Sequence, residues 1–117
     1  MPRARILYFG SPDGISSIHY HVPERLAEII DASRSDLEDL PKGDAIIVSE
    51  PYLTTEFLSR LHEIIDSSQN VLAFWRKSSE SEKRACIEKF VDGQYEINMP
   101  NSERSDFYEK LGLREYI

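Results

Sequence analysis

Several polar residues directly follow apolar runs, and their side chains could take part in chemistry. Glycines, hydroxyls and basic side chains can hold an anion, whereas carboxylates can move protons. These candidates are Gly10, Ser11, Asp13 and Ser17 after the first run, Ser49 and Glu50 after the second, Arg76 and Lys77 after the third, and Asn101 after the last. The sequence therefore offers one candidate ligand edge, provided that the fold brings these positions together.

The segment Gly10–Ser17 contains two glycines and several hydroxyls. A phosphate-binding loop needs glycines that let backbone N–H groups face the anion, together with a lysine and a hydroxyl. Here the glycine spacing is one residue short, and the lysine is missing. The pattern therefore favours a strand-to-helix turn that needs glycine, with anion binding as the alternative.

Other combinations of side chains give weaker signals for chemistry. Asp13 and Glu50 could form an acid pair, although general acid–base work needs a carboxylate held in a cleft. His19 and His21 could bind a metal from an extended segment, but no third ligand is evident. We therefore predict no catalytic residues, no metal and no cofactor.

Composition limits the class of protein. The chain has 117 residues and a formal net charge of −7, which suits one domain over residues 1–117 and argues against direct nucleic-acid binding. No apolar run is long enough to span a bilayer, and the first residues do not resemble a signal peptide. The single cysteine, Cys86, excludes an internal disulfide and suits a reducing compartment. We expect a cytoplasmic protein with no membrane partner.

Apolar runs and turn residues predict alternating strands and helices. The predicted strands are Arg5–Phe9, Ala45–Val48, Val71–Trp75 and Tyr95–Met99. The stretch up to His21 is left open, and Asp31–Gly43 could hold a short edge strand and a helical turn. The first predicted helix begins at Pro23 with Leu26, Ile29 and Ile30 on one face, and the second begins at Thr54 or Thr55 with Leu58, Leu61, Ile64 and Ile65 as its apolar positions. The third begins at a Ser79–Glu82 capping box, with Cys86, Ile87, Phe90 and Val91 inward. The fourth begins at Asn101 or Ser102, buries Phe107 and Leu111 and ends near Gly112.

This alternation predicts the fold class. Strands that alternate with helices form βαβ units and a parallel sheet. We therefore predict an α/β protein: a single three-layer α/β/α domain with a mostly parallel, five-stranded, doubly wound sheet of flavodoxin or receiver type. In such sheets ligands bind at the carboxyl ends of the strands, where the strand order reverses.

The run Ser79–Arg84, followed by Tyr95–Pro100, resembles the fourth helix, fifth strand and closing proline of response-regulator receiver domains. The order of elements extends this resemblance over nearly the whole chain. Where the family has its acidic pair after the first strand, this chain has Gly10 and Ser11, and Ser49 stands in place of the phosphoacceptor aspartate.

Two further positions depart from the receiver pattern. Trp75 lies near the position where the family has its switch hydroxyl, and Met99 replaces the lysine that precedes the family's closing proline. The resemblance therefore implies a degenerate receiver, or pseudo-receiver, that lacks phosphorylation chemistry.

A second resemblance is to delta-type, degenerate AAA+ clamp-loader subunits. Ala45–Pro51 with Leu53 and Thr54 looks like a decayed Walker B strand and its helix, and Asn70–Trp75 resembles the sensor strand. Ile6–Ser17 looks like a Walker A loop without its lysine. This resemblance implies an accessory subunit in DNA replication, although the chain is too short for the lid and collar of such subunits.

Three functional hypotheses follow. The first is a non-catalytic protein-interaction or regulatory module whose partner is another protein, with a homodimer as one form. Its contact surface would be the last helix and the Trp75–Lys77 edge, with Trp75, Tyr95, Tyr108 and Tyr116 as interface anchors. The alternatives are the replication accessory and a small enzyme that uses Asp13, Glu50 and His19 on a nucleotide or sugar phosphate.

Overall fold

The computed structural model describes residues 3–65, 69–76 and 81–116, with side chains described as far as Arg114. One sheet of five strands runs through the centre, in the order β2-β1-β3-β4-β5, and every neighbouring pair is parallel. The strands are β1 (Ala4–Phe9), β2 (Ala27–Asp31), β3 (Ala45–Ser49), β4 (Asn70–Trp75) and β5 (Gly93–Glu96). This is the flavodoxin-like order of doubly wound sheets, so the predicted fold class is confirmed.

Helices cover both faces of the sheet. They are α1 (Asp13–His21), α2 (Thr55–Ile64), α3 (Ser81–Ile87) and α4 (Asn101–Lys110), with short 3-10 turns at Leu37–Asp39, Glu88–Phe90 and Leu113–Tyr116. Helices α1 and α4 pack on one face, and α2 and α3 pack on the other. The helices after β1 and β3 thus leave on opposite faces, which places the switch point between these two neighbouring strands.

Helix α2 forms where its sequence pattern predicts it. The Thr54 side chain accepts a hydrogen bond from the Phe57 backbone N–H at 3.2 Å and caps the helix. Leu58 and Leu61 are buried against the sheet, whereas Ile64 is 38% exposed.

The helix predicted from Pro23 is wrong, because Ala27–Asp31 forms the edge strand β2. Ile29 pairs with Ile6 of β1, so β-branched side chains complete the sheet where helical periodicity was also satisfied. Pro23 opens a turn instead and accepts a hydrogen bond from the Leu26 N–H. The helix of this region is α1, in the stretch that the sequence left open, and the predicted helical turn in Asp31–Gly43 is confirmed at Leu37–Asp39.

The predicted inward position of Cys86 is also wrong. Cys86 is exposed, and Ile87 is the buried residue of α3, because this helix ends at Ile87 and continues as a 3-10 turn. The capping box cannot be compared fully, since Ser79 lies outside the described residues.

The last strand begins and ends earlier than the predicted Tyr95–Met99, at Gly93–Glu96. Helix α4 follows, with Pro100 at its N-cap position and no side-chain cap from Asn101 or Ser102. Phe107 and Leu111 are buried as predicted. Gly112 has φ of +76°, which suits glycine and ends the helix at the predicted place. None of the helices described is long and apolar enough to cross a membrane.

Candidate functional site

The ends of β1, β3 and β4 bring several predicted site residues together; we call this region, formed by Gly10–Asp13, Ser49 and Arg76, the carboxyl edge. Arg76 follows β4, and its Nη2 donates a hydrogen bond to Ser11 Oγ at 2.7 Å. The same nitrogen lies 3.9 Å from Asp13 Oδ2. Because β3 lies between β1 and β4, the Arg76 side chain reaches across the end of β3 at the switch point.

The space below this bridge is occupied by Tyr8 of β1, a residue that the sequence analysis did not select. Tyr8 is buried, and its hydroxyl donates to the Ser11 carbonyl oxygen at 2.8 Å. A Cβ atom on Gly10 would lie 2.3 Å from the Tyr8 hydroxyl oxygen, and one on Gly14 would lie 1.8 Å from it. Both glycines therefore leave room for the close approach of this ring.

Ser49 stands at the end of β3 but does not face solvent. It is 2% exposed, and its Oγ donates to the Phe74 carbonyl oxygen of β4 at 2.9 Å. Burial raises the pKa of the neighbouring Tyr8 hydroxyl, and the Ser49 hydroxyl and the Arg76 charge offset part of that rise. The hydroxyls of Tyr8 and Ser49, at the centre of the carboxyl edge, thus both donate to backbone carbonyl oxygens.

The other predicted edge residues lie around this centre. The Asp13 side chain is 88% exposed and pairs with Arg76, so it is not held in a cleft as a general acid or base would be. Ser17 lies on α1, where its hydroxyl donates to the Asp13 carbonyl oxygen at 3.5 Å. Asn101 is exposed at the start of α4, and Lys77 lies outside the described residues.

His19 and His21 lie on α1 and not on an extended segment. The Nε2 atom of the buried His21 donates to the Ile97 carbonyl oxygen at 2.5 Å, and its Nδ1 accepts from Arg104 Nη2 at 3.1 Å. His19 Nδ1 bonds to the Val22 carbonyl oxygen. No group of three potential metal ligands occurs among the residues that the structure describes.

The aromatic residues predicted as interface anchors are mostly internal. Trp75 is 1% exposed, and its indole N–H donates to Gln94 Oε1 at 2.8 Å beneath the Arg84 guanidinium. Tyr95 is 4% exposed and donates to Asp106 Oδ2. These two side chains cannot anchor a partner in this conformation, because the sheet needs them as core.

The other two predicted interface anchors are Tyr108 and Tyr116. Tyr108 is half-buried, and its hydroxyl donates to the His21 carbonyl oxygen. Tyr116 lies in the last 3-10 turn, and its side chain lies outside the described part of the chain.

Comparison with known proteins supports the fold alone. No protein family and no curated protein matches this sequence. Among solved structures, the pilus assembly protein CpaE from Caulobacter crescentus matches 96% of this chain and 93% of its own, with a TM-score of 0.63 and 14% identity. The fold is receiver-like. At that identity the likeness shows a shared architecture and carries no residue from one protein to the other.

The receiver-like core also sets how stability depends on alkaline pH. Burial raises the pKa of Tyr95 above the usual value of 10.0, and the hydrogen bond and charge of Asp106 raise it further. A group whose pKa is raised by folding contributes stability that is complete below the unfolded pKa and is lost as pH rises through the folded pKa. We therefore expect the free energy of unfolding to fall above about pH 10, with Tyr8 contributing in the same direction.

Urea unfolding at several pH values from about 8 to 11 measures this slope. The Tyr95→Phe variant should show a shallower alkaline decline, whereas Tyr20→Phe should not, because Tyr20 is 79% exposed. An unchanged slope in Tyr95→Phe would contradict the assignment.

Proposed function

We propose that this chain is a non-catalytic protein-interaction or regulatory module, a receiver-like domain without phosphorylation chemistry. The observation that carries the proposal is the filled carboxyl edge, where the hydroxyls of Tyr8 and Ser49 donate to backbone carbonyls and Arg76 donates to the Ser11 hydroxyl. A domain that keeps the architecture of a signalling fold and fills its reaction centre is suited to work through contacts.

Phosphoryl transfer to a side chain would need two things at this place. One is a set of carboxylate oxygens to hold Mg²⁺, and the other is an accessible nucleophile. Gly10 and Ser11 supply no carboxylate, and the Ser49 hydroxyl is buried with its proton directed at a backbone carbonyl. The Asp13 carboxylate is nearby but lies in solvent and pairs with Arg76.

The partner that we propose is another protein, with a second copy of the chain as one form. The net charge of −7 disfavours nucleic acid as the partner. The structural neighbour CpaE is named as a pilus assembly protein, which is compatible with a module that acts through contacts between proteins. A cytoplasmic location is part of the proposal, and the single exposed thiol, Cys86, is compatible with a reducing compartment.

Intact-mass measurement after incubation with acetyl phosphate and Mg²⁺ tests the absence of phosphorylation chemistry. We expect no phosphoryl adduct, and an authentic receiver domain that is labelled under the same conditions serves as the control. An adduct on this chain that maps to Ser49 would overturn the proposal.

The clamp-loader and small-enzyme alternatives stay predictions. Thermal unfolding in the presence of ATP, ADP and nucleoside phosphates tests both together. We expect an unchanged unfolding temperature, and a saturable increase would favour one of these alternatives over the interaction module.

A further inference from the structure

A groove lies on the face of the sheet that α2 and α3 cover, far from the carboxyl edge. Its volume is about 450 Å³, and it is open to solvent. Leu7 of β1 forms part of its lining, the segment that contains Leu37 and Leu40 lies on one side, and Ile64 and Ile65 at the end of α2 lie on the other. The lining thus combines apolar side chains with the polar side chains of Glu38, Lys42 and Gln69, and the groove lies between the end of α2 and the segment around Leu37–Asp39.

The groove exists because one crossover helix is missing. Parallel strands are usually joined by an α-helix that packs on the sheet. The β1–β2, β3–β4 and β4–β5 crossovers contain α1, α2 and α3, whereas the β2–β3 crossover contains only the 3-10 turn Leu37–Asp39. The layer that covers this face is therefore incomplete beside α2.

The exposed apolar side chains also point to this groove. Among the described residues, only Tyr20 and Ile64 are large apolar side chains with high exposure. Ile64 lies in the groove, while Tyr20 lies on α1 on the opposite face of the sheet. Ile64, Leu37 and Leu40 thus place apolar side chains together in one groove, with that of Ile64 38% exposed.

Charge indicates what covers it. Glu38 lines the groove, and Asp36 and Asp39 are exposed next to it in the same segment; none of the three makes an ion pair within the described part of the chain. Lys42 also lines the groove, and it is the single basic residue between positions 36 and 43, against three acidic ones. A second copy of this chain would bring another net charge of −7 to the exposed carboxylates of this segment, so like charges disfavour it.

We propose that this groove receives one amphipathic α-helix of a partner protein, with an apolar face and basic residues along its flanks. The helix would complete the layer beside α2, placing its apolar side chains against Leu37, Leu40 and Ile64. Its lysines or arginines would face Glu38 and Asp39. This assignment rests on the proposed function, because it names the surface and the partner class of that interaction module.

A displayed library of helical peptides of about 18 residues, five turns, provides the probe. Leucine is fixed at positions i, i+3, i+4 and i+7, and the flanking positions are drawn from Lys, Glu and Ser. Selection on the full chain should enrich Lys in the flanks. No enrichment of any peptide, or enrichment of Glu, would overturn the proposal.

Variants locate the binding. Ile64→Glu should weaken a selected peptide by about tenfold or more, and Glu38→Lys with Asp39→Lys should also weaken it and reduce its salt dependence. Tyr20→Glu is the matched control, since it changes the other exposed large apolar residue on the opposite face. All four substitutions in these three variants are at exposed positions, and circular dichroism checks that each variant folds. Peptide binding that survives Ile64→Glu would contradict the assignment.

Two outcomes separate this inference from the proposed function. A wild-type dimer that Ile64→Glu abolishes in sedimentation would show that a second copy fills the groove; it would overturn the helix assignment and leave the interaction module in place. A phosphoryl adduct at Ser49 would overturn the proposed function whatever binds the groove.

Discussion

Replacing Gly14 by alanine should destabilise the protein by about 1–3 kcal/mol, the usual cost of overpacking a filled space. Gly14 is the second residue of α1, where alanine would by helix propensity alone stabilise the protein by about 1 kcal/mol. The structure reverses that sign, because the new Cβ would lie 1.8 Å from the Tyr8 hydroxyl oxygen and 2.8 Å from its Cζ. Urea denaturation of the wild type and the variant gives the difference in unfolding free energy.

A double-mutant cycle identifies the cause. Tyr8→Phe alone should cost about 1 kcal/mol by removing the hydrogen bond to the Ser11 carbonyl. In the Gly14→Ala background the same change should cost less or should stabilise, because it removes the atom in collision. Ser16→Ala, at an exposed position of α1, is the control and should be neutral or mildly stabilising. A stabilising Gly14→Ala variant would show that Tyr8 does not fill the carboxyl edge.

Replacing Ser49 by aspartate, which places a receiver-like acid at the end of β3, should destabilise the protein by on the order of 3 kcal/mol or more near neutral pH. The site is 2% exposed, and a carboxylate there would face the Phe74 carbonyl oxygen, to which it has no proton to donate. We expect the variant to gain no phosphorylation, because Gly10 and Ser11 still supply no carboxylate for Mg²⁺.

Ser49→Asn is the matched control, since asparagine has nearly the same size and a donor for the Phe74 carbonyl. Burial raises the pKa of a carboxyl at this position, so the folded variant binds a proton more tightly than the unfolded chain. The stability gap between Ser49→Asp and Ser49→Asn should therefore narrow as pH falls. A gap that is small at pH 7 or independent of pH would mean that Ser49 is more accessible than the structure shows.

The sheet could be predicted largely from sequence because its central strands are buried on both faces. Ala45–Val48 and Val71–Trp75 are continuous apolar runs, which is the pattern of parallel strands. The edge strand β2 could not be predicted, since the spacing of Leu26, Ile29 and Ile30 fits one face of a helix as well as it fits a strand. Pairing with β1 decided between the two, and that contact is tertiary.

The position of the candidate site could be predicted from the sequence, but the packing of side chains within it could not. The strand ends meet where the alternation of elements places them, and Ser11, Asp13 and Arg76 are in direct contact. The role of Tyr8 could not be read from the sequence, because an aromatic residue inside an apolar strand looks like ordinary core. The pair of glycines at positions 10 and 14 was its only signal, and the same glycines also suit an anion-binding loop.

Two of the predicted interface anchors show that residue type alone does not predict exposure. Trp75 and Tyr95 are residue types that often hold interfaces, yet here the indole N–H and the phenol each find an internal partner. The groove beside Ile64 arises from a helix that the β2–β3 crossover lacks, which no single residue in the sequence indicates.

The most direct test of the filled carboxyl edge is an NMR titration of the ¹⁵N-labelled chain with Mg²⁺ and beryllofluoride, which mimics a phosphoryl group. We expect no saturable shift of the backbone amide signals of Gly10, Ser11, Ser49 and Arg76. Saturable shifts centred on those four amides would contradict it and would show that the edge opens to bind a phosphoryl group.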